Sequence, residues 1–377
     1  MLIKLYKLKD YDFKLIVLVS ALAVIGIYAV SSANESYHSR QLMGVLIGTF
    51  FMIFLSLFDY NLILKLYWII YIANIALLIA VKLQGVNRGG ATRWLVIGGI
   101  QFQPSETAKI ATIMFFAAFF MKHAEEIKSL KVFIFTLLLF GPIFYLIYDQ
   151  PDMSTSLVLM ILFAIMFFEA GISWKMVLGV CAVAVPVFII LLMLVLQTDQ
   201  NIIEPYQQNR ILAFLNPEEY SSSEAYQQIN SVMAIGSGQL LGKGYDSDEI
   251  NSVKNGNFIS EPQTDFIFAV IGEEFGFIGT CTVIILLILI SIECIIIAKR
   301  AKDMAGLIIA SGMGSLIAIQ GFMNIGVATQ LFPNTGLPLP FVSYGTTSLI
   351  SMYIGMGLVL NVRLQCNIRP ASREGIS

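Results

Sequence analysis

Charge is what this chain has least of. Asp, Glu, Lys and Arg make up 13% of its 377 residues, against roughly 25% in soluble domains. With 57% hydrophobic residues and a mean hydropathy of +0.79, that shortage excludes cytosolic enzymes, disordered regulators and disulfide-rich secreted scaffolds. The net charge of −2 argues against bulk attraction to nucleic acid, so no nucleic-acid partner is expected. Histidine is scarce too. His38 and His123 are the two present, neither beside a second ligand at metal spacing, so a histidine metal site and a Ser-His-Asp triad are not expected. The four cysteines form no CxxC pair, and Cys181, Cys281 and Cys294 sit in apolar stretches as small hydrophobes. The short alternating strands of an outer-membrane barrel are also missing.

What is present is a series of long apolar runs. A membrane helix needs about 20 such residues. Candidate spans lie at about 15–34, 41–58, 62–82, 102–121, 131–148, 153–169, 175–197, 265–298, 305–328 and 343–362. The chain therefore reads as an all-α integral membrane protein with about ten transmembrane helices in a single polytopic domain. The first run is too long for a signal h-region and reads as an uncleaved anchor. With the N-terminus in the cytoplasm, fifteen of the 23 basic residues fall on inner segments, as the positive-inside rule requires. Both termini are then cytoplasmic. A long extracellular loop at about 197–264, between spans 7 and 8, carries three basic against nine acidic residues. Within it, Gly236–Gly244 looks like a phosphate loop but lacks the required Gly and Ser/Thr, and reads as a glycine-rich turn.

Charges inside spans cost about 2.5–3.5 kcal/mol each and are functional suspects. Glu106 and Lys109 open the fourth span three residues apart, on one helix face. They form either a structural ion pair or a site where Lys109 faces a cavity and binds a negative group. Arg88 and Arg93, in the preceding loop, have no acid near them in sequence. Asp265 stands where the polar loop becomes the eighth span. It either caps the helix or is a carboxylate kept ionised by the helix N-terminus, placed to act as a general base. Glu273 and Glu274 lie two turns deeper, and one is expected to pair with a basic residue on another helix. Asp152 opens the sixth span as an N-cap. Residues 304–362 contain no charge, and the proline-broken stretch Phe332–Gly345 is expected to fold back into the protein.

These segments carry a resemblance. Arg93-Trp94 is followed by Phe102-Gln-Pro-Ser-Glu-Thr-Ala-Lys109 and Gln150-Pro-Asp152. Next come Tyr206-Gln-Gln-Asn-Arg210, Tyr226-Gln227, Ala234-Ile-Gly-Ser-Gly238, Gly242-Lys-Gly244, Thr264-Asp-Phe-Ile-Phe268 and Pro338-Leu-Pro-Phe-Val-Ser-Tyr344. In this order, over nearly the whole chain, they resemble the SEDS family of membrane glycosyltransferases, the RodA/FtsW/SpoVE group of bacterial cell-wall proteins. Gly336-Leu-Pro-Leu-Pro-Phe341 looks more like the RodA branch. Ser260, Gln263 and Thr346 depart from the family pattern without touching the aspartate.

The resemblance implies a multi-pass protein of the bacterial cytoplasmic membrane. It would polymerise lipid II into glycan strands for cell-wall elongation and cell shape, beside a class B penicillin-binding protein. Asp265 matches the essential aspartate and would be the general base. Lys109, held by Glu106, is the first choice for the pyrophosphate, with Arg210, Arg93 and Arg88 behind it. Asp152, Gln227 and Ser343, each within one of these motifs, complete the expected substrate contacts. A divalent cation such as Mg has room to share the charge, although the sequence shows no dedicated cage. The competing readings are a lipid-linked oligosaccharide flippase, a non-catalytic scaffold, and an FtsW- or SpoVE-like role in division or sporulation.

Overall fold

The computed structural model describes residues 10–88, 91–98, 100–179, 205–220, 225–246 and 258–366, with the single positions 182, 186 and 193. Helix dominates because the apolar runs can satisfy their backbone groups in lipid only within themselves. The long helices are α1 (Phe13–Ala33), α2 (His38–Ser56), α4 (Tyr67–Gln84), α5 (Pro104–Lys122), α6 (Leu130–Tyr148), α7 (Met153–Glu169), α10 (Ile267–Lys299), α11 (Met304–Ala328) and α12 (Thr346–Gln365). These coincide with nine of the ten predicted spans. Beyond a helical start at 175–179 and isolated positions, the predicted span at 175–197 lies outside the described residues. Seven of the helices are long and apolar enough to cross a membrane; α7 is apolar but shorter, and α5 carries Glu106, Lys109 and Lys122. A short helix, α3 (Tyr60–Leu64), links α2 to α4.

Burial separates inner helices from outer ones. In α11, 72% of the most apolar window is buried, and in α12 83%, while α4 has 22%. An apolar helix buried all round is central, and one buried on a single stripe faces lipid. Around α11 and α12 pack α2, α5, α7 and α10. Aromatic rings fill the space between α5 and α7: Phe120 stacks on Phe167 with centroids 5.2 Å apart, and Phe116 meets Phe163 at 5.0 Å.

One end of the bundle carries the short strands, the turn at Asp265 and the Phe332–Gly345 stretch. The loop after α4 folds into three antiparallel strands, β1 (Val86–Arg88), β2 (Ala91–Ile97) and β3 (Ile100–Phe102). The register pairs Arg88 with Ala91 and Ile97 with Ile100. This sheet was not expected. Two shorter helices, α8 (Pro205–Leu215) and α9 (Tyr226–Ser237), occupy the long segment before α10. The stretch Phe332–Gly345 folds inward as expected, with Leu337, Leu339, Phe341 and Val342 buried.

The glycine-rich turn has a role the sequence did not disclose. α10 is broken at Gly276 (φ 61°, ψ −157°). The freed backbone groups bond to the glycine stretch. Phe277 N donates to Gln239 O (2.8 Å) and Ile278 N to Leu240 O (3.2 Å), while Lys243 N donates to Glu273 O (2.9 Å) and Gly244 N to Glu274 O (3.1 Å). The ionic partners differ from expectation for the same reason. Lys243 Nζ lies 2.9 Å from Glu273 Oε1, so this partner comes from the glycine insert, where a basic residue on another helix was expected. Glu274 accepts from Ser32 Oγ and from Asp246 N.

At the opposite end, Lys14 pairs with Glu293, and Asp303 caps α11 while accepting from Tyr60 Oη at 2.8 Å.

Candidate active site

Asp265 sits in the turn just before α10, partly buried, at the loop-rich end of the bundle. Its backbone is tied down at three consecutive carbonyls. Tyr344 N donates to Gln263 O at 2.9 Å. Ser343 Oγ donates to Thr264 O at 2.6 Å and itself accepts from Leu339 N at 2.7 Å. Asn324 Nδ2 donates to Asp265 O at 2.8 Å. Gly336, at φ +71°, lies beside the carboxylate; a Cβ there would be 3.4 Å from Asp265 Oδ2. Ser343 therefore serves the frame of the site with its hydroxyl.

The carboxyl of Asp265 is pushed up to about 6. Burial is the main cause, because removing water penalises the charged form. The positive charges of Arg210 and Arg93 pull the other way, and Glu261 and Asp152 add to the rise. Among the described residues, those four groups are charged surroundings that act on Asp265. A carboxylate that titrates near neutrality beside two guanidinium groups is suited to taking up a proton next to a developing anion.

The two arginines come from distant parts of the chain. Arg93 projects from β2 and donates to Gln150 O (3.4 Å) and Pro151 O, with Asp152 Oδ1 3.7 Å away. The acid missing near it in sequence is therefore supplied by Asp152. Asp152 also caps α7 through Thr155 N (3.2 Å) and accepts from Ser105 Oγ at 3.4 Å. Arg210, on α8, donates to Asn334 O at 3.4 Å. Gln227, on α9, donates to Ser260 Oγ, at the exposed rim. Arg88 is placed only by its backbone, in β1 opposite Ala91; its side chain lies outside what is described.

Glu106 and Lys109 are both buried. Lys109 Nζ is 2.8 Å from Glu106 Oε1 and 2.8 Å from Gln320 Oε1, and its exposure is 0%. Of the two readings open to the sequence, the geometry has the features of the ion pair: the ammonium lies in protein, without an open face. Gln320 and Asn324 were not singled out from the sequence. The signal was available, as two amides one turn apart inside a charge-free span. Among the described residues, no group of three or more His, Cys, Asp or Glu side chains is arranged to hold a metal ion. Among the described residues, Arg93 and Arg210 supply positive charge that acts on Asp265.

The profile of the family described as cell cycle protein, comprising FtsW, RodA and SpoVE, matches residues 3–367. The chain is 33% identical over 381 residues to the probable peptidoglycan glycosyltransferase FtsW of Trichlorobacter lovleyi, covering 97% of each chain. It is 36% identical over 293 residues to the peptidoglycan glycosyltransferase MrdB of Escherichia coli K12, covering 78% of this chain and 76% of that one. Its fold matches a chain of a peptidoglycan synthase complex that coordinates polymerization and crosslinking, with a TM-score of 0.78, 27% identity and coverage of 95% and 99%. It also matches the rod shape determining protein RodA of Thermus thermophilus, with a TM-score of 0.69, 26% identity and coverage of 95% and 98%. The motifs around Asp265, the helical membrane architecture and these similarities agree: the chain belongs to the SEDS family of FtsW, RodA and SpoVE and is a multi-pass glycosyltransferase of the cytoplasmic membrane.

Proposed function

We propose that the protein polymerises lipid II, a disaccharide-pentapeptide on undecaprenyl pyrophosphate, with Asp265 as the general base. The observation that carries this reading is the Asp265 carboxyl held in the turn before α10 with Gly336 against it, raised by burial and acted on by the charges of Arg210 and Arg93. Asp265 takes the proton from the C4 hydroxyl of the acceptor's N-acetylglucosamine. The oxygen attacks C1 of the donor's N-acetylmuramic acid from the side opposite the leaving group. The C1–O bond to phosphate breaks with inversion, and undecaprenyl pyrophosphate departs with the bonding pair. Pyrophosphate needs little acid assistance but needs positive charge near its oxygens.

Arg93 and Arg210 are better placed for that role than Lys109, because their charges act on Asp265 while Lys109 is enclosed. Asp152 and Gln150-Pro151 hold the Arg93 guanidinium in orientation. Gln227 at the rim is available to the glycan or peptide stem, and Arg88 stays a candidate substrate contact on its place in the sequence alone.

In this reading the end of the bundle bearing Asp265 faces outward, both termini are cytoplasmic, and the segment at 197–264 frames the glycan over a single polytopic domain. The prenyl tail stays in lipid while the sugars reach the site from water. Elongation and cell shape are the favoured role because Gly336–Phe341 is closest to the RodA pattern. A class B penicillin-binding protein is the natural partner, since the matched complex couples polymerization to crosslinking.

The test is polymerisation of fluorescent lipid II by the purified protein, with and without its cognate penicillin-binding partner, comparing wild type with Asp265→Asn. A folded, inactive variant supports the reading, with a loss of about 10²–10⁴ in rate. Equal polymerisation by both sinks the role of Asp265. No polymerisation by partnered wild type turns the assignment towards a flippase or scaffold.

A further inference from the structure

We infer that Gln320 and Asn324 on α11 are positioning residues for Asp265, with the buried Lys109–Glu106 pair as the anchor behind them. The inference rests on the reading of Asp265 as the base and adds how that base is held. Both amides are buried, at 0% and 1% exposure, and four residues apart, so they share one face of the helix.

Each bonds to the same stretch of loop. Gln320 Nε2 donates to Pro338 O at 2.9 Å, and Asn324 Nδ2 donates to Leu337 O at 2.7 Å. Asn324 Nδ2 also donates to Asp265 O at 2.8 Å. One amide nitrogen thus joins the segment carrying the carboxylate to the loop that walls it. The neighbouring Gly336 is the loop residue that lies against Asp265 Oδ2.

Lys109 fixes the direction of this clamp. An ammonium only donates, so the Gln320 atom facing it at 2.8 Å is the oxygen. The Gln320 nitrogen must then face Pro338 O. Glu106 in turn holds Lys109 in place, with Oε1 2.8 Å from Nζ. Asn324 is oriented by its two carbonyl partners, and its Oδ1 is buried without a hydrogen bond. A buried polar atom left in that state is normally costly. Retaining it fits a side chain whose nitrogen is required in a defined place.

An enclosed lysine thereby acts on the chemistry without touching substrate. If the loop and the Asp265 turn separate, the carboxylate moves relative to the acceptor hydroxyl. A displacement of about 1 Å at a reacting group is enough to cost roughly 10²-fold in rate. Substrate affinity, set by other contacts, changes little.

The experiment uses the purified full-length protein with its partner, measuring kcat and KM for lipid II alongside thermal stability. Asn324→Leu and Gln320→Leu remove the donors, and the stability measurement reports whether each replacement is accommodated. Each is expected to lower kcat by about 10–100-fold with KM within about twofold, and their double variant to fall little further, because residues acting as one unit are non-additive. Asn324→His places a single Nδ1–H near the position of the amide nitrogen, enough for one of the two carbonyls, so it is expected to recover part of the loss. Lys109→Met with Glu106→Gln, a neutral pair, is expected to show the same split of kcat from KM.

Unchanged kcat in folded Asn324→Leu and Gln320→Leu overturns the inference. So does a raised KM with kcat kept, multiplicative losses in the double variant, or Asn324→His no better than Asn324→Leu. If Asn324→Leu does not fold, Asn324→Ser decides by the same criteria. Asp265→Asn is measured in the same series. If it polymerises like wild type, the base assignment fails; if it is inactive while the α11 variants keep kcat, only the positioning role fails.

Discussion

Gly242 and Gly276 stand against each other across the break in α10: a Cβ on Gly276 would lie 2.4 Å from Gly242 N. A Cβ on Gly242 would in turn meet Glu274 O at 2.0 Å, and Gly242 itself has φ +81°. Backbone touches backbone here, so no side chain can turn aside. Gly242→Ala and Gly276→Ala are therefore expected to lower the apparent unfolding temperature, each by more than Gly141→Ala, where a Cβ meets nothing within 4 Å. Thermal unfolding in detergent or nanodiscs checks this ordering.

The pH profile follows from Asp265. A base must be deprotonated to act, so polymerisation should fall on the acid side around pH 6, the value at which this carboxyl titrates. The limb should move to lower pH in Glu261→Gln, because removing a neighbouring negative charge favours the carboxylate. Initial rates between pH 5 and 8 test both statements.

The same shift makes a stability prediction with a definite sign. The carboxyl titrates near 6 folded against 3.8 unperturbed, so the folded state holds the proton more tightly. Below pH 3.8 both states are protonated and no cost exists; as pH rises through 6 the folded protein carries a disfavoured charge. Asp265→Asn should thus match wild type in acid and be the more stable protein at pH 7. An inactive variant that is also less stable at pH 7 would contradict this account of the burial.

Lys109 and Glu106 should behave as a unit. Removing one partner from a buried pair strands a charge, a loss of about 3–5 kcal/mol. Lys109→Met alone should lower stability strongly, and adding Glu106→Gln should restore part of it. A double-mutant cycle on unfolding temperature reads this coupling, and additive losses would count against it.

Arg93 and Asp152 should separate by effect. Arg93→Ala removes a charge acting on Asp265 and the bonds to Gln150 and Pro151, so polymerisation should fall. Asp152→Asn keeps an oxygen for the α7 cap and weakens the hold on Arg93, so it should cost activity less than Arg93→Ala does. Lipid II titrations with each variant test the order.

Much of the architecture was legible beforehand because lipid imposes a simple rule. Residues such as Phe13–Ala33 and Met304–Ala328 are apolar over lengths that only a helix can satisfy. The motifs likewise marked Asp265, Arg93, Arg210 and Ser343 before any geometry was known. The strands at 86–102 were hidden, being three to seven residues long and too short for a periodic signal. Gln320 and Asn324 were hidden in another way. An amide in an apolar helix announces that it has a partner, and says nothing of which one.

By itself the sequence determined the membrane class, the approximate positions of the helices and the residues that carry charge. Local hydrophobicity and spacing decide those properties, and each is written in a contiguous stretch of chain. Only the tertiary structure decided that Asp152 faces Arg93, that Lys243 faces Glu273 from the glycine insert, and that Lys109 ends on Gln320. These pairings join residues far apart along the chain. They are fixed by the packing of helices against one another, where a buried charge or amide has to find a partner among the few groups within reach.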